Sequence, residues 1–308
     1  MTEPDQTRLG GHAAPAAFLL TVLLAALIPV AGAQTVDRAA STHRAIALVE
    51  QGRCKEALPV LERALPRLAD KQLRYNGAMA EARCAMVVGQ DNTAIAALQQ
   101  LRRDFPDDPE VLFVTVHYFS QLAMRASQEL AAKAPASPQA RRLEAEAFES
   151  QGKWDEAAGI YKGILESSPG LPGIHYRLGQ VLLSKAGESG PLDEARTEFE
   201  KELQVDPRSA AAEFVLGELA RRAGHWDEAA QHFSRASTLD AGFSEAFLAL
   251  GMSLTSAGKF AAAIAPLETY VKMEPADPSG HYQLAIAYRR TGNTEGAERE
   301  MALQHAGK

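Results

Sequence analysis

Apolar and polar positions divide the chain into two regimes. From Ala13 to Val30 no residue is charged, and Phe18-Leu19-Leu20 through Leu27-Ile28 is strongly apolar. Beyond that run, small and apolar residues return at a fixed interval among charged ones. Ala195, Ala229, Ala263 and Ala297 stand 34 residues apart; Gly224, Gly258 and Gly292 keep the same spacing, as do Gly217 and Gly251. In a chain this rich in alanine the alanines alone carry little weight. Their agreement with the glycines marks an internal repeat, visible in the aligned fragments Gly224-His225-Trp226-Asp227-Glu228-Ala229 and Gly258-Lys259-Phe260-Ala261-Ala262-Ala263.

The repeated positions resemble the tetratricopeptide repeat (TPR), which has a small residue at position 8, Gly at 15, Ala at 20, an aromatic or Leu at 24 and Pro at 32. Leu178-Gly179, Leu216-Gly217, Leu250-Gly251 and Leu284-Ala285 fill positions 7 and 8 of the last four units. Phe199, Phe233, Leu267 and Met301 fill position 24; Pro207 and Pro275 fill position 32, where Ala241 departs from the pattern. The register continues upstream through Gly152, Ala157, Tyr161 and Pro169, through Gly89, Ala94, Leu98 and Pro106, and through Gly52, Ala57, Leu61 and Ala64. The resemblance implies an all-α, right-handed superhelical solenoid of antiparallel helix pairs, about eight units over residues 34–308. Small residues at 8 and 20 let the two helices approach, Gly at 15 closes the first helix in a left-handed conformation, and Pro at 32 stops the second. Acidic residues such as Asp155-Glu156, Asp193-Glu194 and Asp227-Glu228 favour the positive end of the second helix. Two places are irregular. Only 29 residues separate Pro106 from Pro135, so the unit around 109–137 is expected to be shortened at its inter-helix turn, and Lys185 to Pro191 lengthens another turn (an inserted stretch around 186–191).

The apolar run at the start reads as a secretory signal peptide over residues 1–33. Arg8 and His12 precede it, Pro29 ends its helical part, and Ala31-Gly32-Ala33 fits the small-x-small pattern before a cut that leaves Gln34 first. The competing reading is an uncleaved N-terminal membrane anchor, since the run is close to the shortest spanning length. No second run of that length follows, so no membrane span remains after cleavage, and the chain is expected in a periplasm or outside the cell.

The net charge of -7 argues against nucleic acid as a partner, because phosphate binding needs a basic face. The two cysteines, Cys54 and Cys84, fall at the start of a second helix and late in the next first helix, near the same end of adjacent antiparallel helices. In an oxidising compartment that placement predicts a disulfide; the competing reading is two buried free thiols that act as small hydrophobes. No Cys or His lies nearby at metal-ligand spacing, so no metal is expected. The histidines form no H-E-x-x-H, and there is no Walker loop, G-x-G-x-x-G or G-x-S-x-G; no cofactor and no catalysis are expected.

The remaining candidates follow from the repeat register. Arg221-Arg222 and Arg289-Arg290 occupy positions 12 and 13, and Tyr176, Phe214 and Tyr282 position 5. The resemblance places these near a concave groove, where paired arginines hold carboxylates and aromatics stack on a ligand. The competing reading pairs the arginines with local acids such as Glu218 or lets them solvate helix ends. The sequence therefore points to an exported scaffold that binds peptides or helices of other proteins. A self-associating structural protein of the cell envelope is the alternative, and an enzyme with an unrecognised site a more distant one.

Overall fold

A computed structural model describes residues 29–186 and 192–306, with side chains from Asp37. The expected signal peptide lies outside the described residues up to position 28. Pro29 to Ala33 form the start of the first helix. The inserted stretch 187–191 is likewise outside.

The described residues are helical throughout, with no strand. Short turns join helices into pairs: α1 (Pro29–Glu50) with α2 (Cys54–Ala64), and α3 (Lys71–Val88) with α4 (Asp91–Asp104). Further on, α6 (Pro138–Ser150) pairs with α7 (Trp154–Ser167), α8 (Ile174–Ala186) with α9 (Asp193–Val205), and α10 (Ala210–Arg222) with α11 (Trp226–Leu239). The last pairs are α12 (Ser244–Ser256) with α13 (Phe260–Met273), and α14 (Pro278–Arg290) with α15 (Thr294–Ala306). One helix has no such mate. Between α4 and α6 the chain runs as a single uninterrupted helix, α5 (Pro109–Lys133), where the sequence pattern led us to expect a shortened two-helix unit. The reason is local: no glycine or proline interrupts residues 110–133, and nothing else there breaks the backbone hydrogen-bond ladder. The described residues form two compact parts, divided between Arg125 and Ala126 inside α5.

In the six pairs whose inter-helix turn is described, the turn closes on a glycine in the left-handed region, for example Gly224 at φ 76°, which a β-carbon would strain. The second helix ends near the expected prolines. It also ends at Leu239, where Ala241 replaces proline, because Asp240 adopts an extended conformation (φ -132°, ψ 98°).

Close approach is set by the small residue at position 8. A β-carbon added at Gly217 would lie 2.7 Å from the Phe233 ring, one at Gly179 2.8 Å from Phe199, and one at Gly251 2.4 Å from Leu267. Phe199, Phe233 and Leu267 are fully buried as a result, and burying each such side chain is worth about 1.5–3 kcal/mol.

The first part has a core from Ala45 through Leu61, Leu98 and Tyr118. It carries the disulfide Cys54–Cys84, with Cα atoms 5.0 Å apart, which ties the start of α2 to the end of α3. One carboxyl breaks its pattern. Glu81 stands at position 7, where Leu178, Leu216 and Leu284 are buried in other units. Burial first, and the neighbouring Glu62 charge second, push the Glu81 carboxyl up to about 7.

The second part holds three histidine–carboxylate pairs at equivalent positions 4 and 23, the last of them buried and the other two partly buried. His175 Nδ1 lies 2.6 Å from Glu198 Oε2, His232 Nδ1 2.6 Å from Glu213 Oε2, and His281 Nδ1 2.7 Å from Glu300 Oε2. The order is reversed in α10–α11, where the acid is on the first helix. Phe247 and Pro266 fill the equivalent positions of α12–α13. Glu202, also buried, accepts hydrogen bonds from the backbone N–H groups of Gly173 (2.7 Å) and Tyr176 (3.1 Å) and so caps α8 from across the pair.

Two outcomes follow. Gly217→Val overpacks the contact with Phe233 and lowers stability by about 1–3 kcal/mol, read as a lower melting temperature with unchanged helical circular dichroism. Glu81→Gln removes a proton-binding group whose folded pKa is raised above its ordinary 4.5. The native chain therefore loses stability as pH rises from about 4.5 to about 7. The variant is more stable than wild type above pH 7, and its advantage shrinks toward pH 4.5; a pH series of urea melts reads the difference.

Candidate partner-binding surface

All seven candidate binding residues sit on first helices of the second part. Positions 5 and 12 are seven residues apart, close to two full helical turns, so they share a face. On α10 that face presents Phe214 and Arg221; on α14 it presents Tyr282 and Arg289. Arg222 and Arg290, at position 13, lie a quarter-turn round the helix.

The faces differ in what is free to bind. Phe214 is half-buried, packed against the rings of Phe233 (5.3 Å) and Phe243 (4.7 Å). Tyr176 is half-buried too: its ring meets Phe199 edge-on at 5.5 Å, its hydroxyl accepts from Gln180 Nε2 at 3.1 Å, and burial pushes that hydroxyl's pKa up. These two aromatics are core elements with an exposed edge. Tyr282 is 45% exposed.

The arginines are likewise divided. Arg221 donates to Glu218 through Nε (3.0 Å) and Nη2 (2.7 Å), a two-pronged pair within its own helix. That hydrogen bond is the main reason its guanidinium is held above the ordinary range. The local-acid reading thus describes Arg221. Arg290 lies over the Phe260 ring, 4.1 Å from its centroid, and is held by the first turn of the preceding helix, α13. Arg289 is exposed; Arg222 is exposed too but already has an interaction of its own. The surface that combines an exposed aromatic with an exposed guanidinium on one face is α14, with Tyr282 and Arg289.

Two features escaped the sequence reading. The first is a cleft of about 440 Å³ in the first part, with apolar walls from Leu65, Pro66 and Ala78 and with Glu62, Glu81 and Arg103 on its rim. Its signal was a glutamate at a repeat position that elsewhere holds leucine. The second is α5, which carries apolar residues on every side between Val111 and Phe119. A helix hydrophobic all round is normally buried, whereas Phe113 and Val116 are 61% and 66% exposed. Among the described residues, no cluster of three or more His, Cys, Asp or Glu side chains is placed to hold a metal ion, and no helix is long and apolar enough to cross a membrane.

Profiles of the tetratricopeptide repeat match residues 120–172, 176–242 and 248–307, and a second such profile matches residues 75–108. No curated protein matches the chain. Among solved structures, the chain is similar to YrrB, described as a TPR protein with an unusual peptide-binding site, at 20% identity over 59% of this chain and 92% of that one, with a TM-score of 0.51. It is also similar to MamA, at 21% identity over 53% of this chain and 93% of that one (TM-score 0.48), and to MamA from Desulfovibrio magneticus RS-1, at 17% identity over 55% and 93% (TM-score 0.47). With helix pairs at a 34-residue period, left-handed glycines in the turns and repeat profiles over more than half its length, this chain belongs to the tetratricopeptide-repeat family of protein-interaction scaffolds.

Proposed function

We propose that this protein is an exported, non-enzymatic scaffold that holds a segment of another protein against the first helices of its second part. The observation that carries the reading is the face of α14, where exposed Tyr282 and Arg289 stand two turns apart. A ring to stack on and a guanidinium to grip a carboxylate suit a peptide or helix bearing an acidic residue next to an apolar one. Phe214 and Arg221 repeat the arrangement on α10, but there the guanidinium already has an acid, so a ligand must displace Glu218 or leave Arg221 alone. The acidic net charge of -7 favours no nucleic acid on this surface. The YrrB description, a TPR protein with a peptide-binding site, is in keeping with a peptide ligand.

Export rests on the N-terminal run and on the disulfide, which suits an oxidising compartment. No catalytic motif competes with this reading.

Two measurements test it. A photoreactive amino acid at Tyr282 in the full chain, expressed in its own cells, is expected to crosslink a second protein. Arg289→Glu is expected to cut that yield about tenfold, equivalent to ~1.4 kcal/mol. A yield unaffected by the charge reversal would show that α14 is not the binding face. For export, N-terminal sequencing of the natural product should begin at Gln34; a chain that retains Met1 sinks the cleaved-signal reading.

A further inference from the structure

The helix α5 occupies the place of a first helix with no second helix beside it. In the seven helix pairs the residue at position 8 is buried: Ala45, Ala82, Ala145, Gly179, Gly217, Gly251 and Ala285. The second helix of the pair covers it. Thirty-four residues after Ala82 that position is Val116, and it is 66% exposed. Leu112 and Phe119, one turn to either side on the same face, are 40% and 41% exposed. Another face of α5 places Val111, Val114 and Tyr118 in the core of the first part.

The exposed face has a definite pattern. Leu112, Val116, Phe119 and Ala123 are spaced by four, three and four residues, the seam of a coiled coil. This differs from the other first helices, where a glycine or alanine at position 8 receives a large side chain such as Phe233. Valine flanked by leucine and phenylalanine leaves no such socket, so an ordinary second helix of this repeat is a poor fit. A second α5 running antiparallel fits better. Centred between His117 and Tyr118, it sets Leu112 against Ala123 of the other chain and Val116 against Phe119, and each contact occurs twice by symmetry. The central two contacts interdigitate, and the outer two set a large residue on a small one. No charged residue lies between Glu110 and Arg125, each of which is paired within its own chain, to Arg83 and Asp91. Self-pairing therefore brings no like charges together, which is what usually forbids a surface from meeting its own copy.

We propose that the exposed face of α5 is a self-association surface, on which the α5 of a second copy lies antiparallel in the place of the missing second helix. A single helix pair buries less than the ~1,200 Å² of a standard interface, so the dimer is weak and dissociates on dilution.

The test is disulfide trapping in the full chain, whose two native cysteines are already joined. Chains carrying Leu112→Cys and chains carrying Ala123→Cys are mixed and oxidised mildly. The expected result is a crosslinked dimer in the mixture and little in either variant alone, because identical residues would lie eleven positions apart, about 16 Å along the helix. Val116→Glu, or Val116→Ser should the glutamate disturb the helix, is expected to remove the mixed crosslink with the circular dichroism unchanged. Two outcomes overturn the proposal: no mixed crosslink at concentrations where the chain is most associated, or a crosslink as strong with Leu112→Cys alone, which means parallel or unspecific contact.

Discussion

The contact between position 8 of a first helix and position 24 of its second helix sets the geometry of each pair. Where Gly179, Gly217 and Gly251 leave a gap, Phe199, Phe233 and Leu267 fill it, and the backbones come close enough that a single β-carbon would collide. A large buried side chain against a bare backbone gives dense packing at small separation. It also fixes which faces of the pair remain to meet the neighbouring pairs. The glycine turns and the helix ends supply the connections, but this contact decides how near the helices lie.

Around that contact the second part places polar groups that a simpler repeat would not need. The three His–Glu pairs and the Glu202 cap span the same two helices that the apolar contact joins. Burying a carboxylate is costly unless it is paired, and each of these acids has a histidine or backbone N–H partner at hydrogen-bond distance. The acid and the base exchange helices between α8–α9 and α10–α11, so either order fits this place. Phe247 and Pro266 show that an apolar filling serves the same place.

The same logic isolates α5. A first helix normally commits one face to the preceding pair and another to its own second helix. Here Val111, Val114 and Tyr118 enter the first part's core but no second helix covers position 8, so a row of large apolar side chains faces solvent. The candidate face of α14 is different in kind: an exposed ring and an exposed guanidinium on a helix whose other faces are fully used. One chain thus presents an apolar helical face in its first part and a mixed aromatic–cationic face in its second.

Much of this was legible in the sequence, because the repeat rests on residues whose shape is their function. A glycine that must be left-handed and a position that must be small leave marks at a fixed spacing, so the all-α class and the period could be read from the sequence. The binding residues were legible only as positions. That Arg221 is held by Glu218 and Arg290 by Phe260, while Tyr282 stands free on the surface, depends on rotamers and on neighbours from other helices. The sequence also suggested two helices in the 29 residues between Pro106 and Pro135, where the structure has one. Spacing reports how much chain is present, but whether that chain turns back depends on whether anything breaks its hydrogen-bond ladder, and within α5 nothing does. The sequence by itself determined the repeat and its local geometry, since these follow from backbone sterics and side-chain size. Only the tertiary structure decided which faces stay uncovered, because exposure is set by the presence or absence of a neighbouring helix.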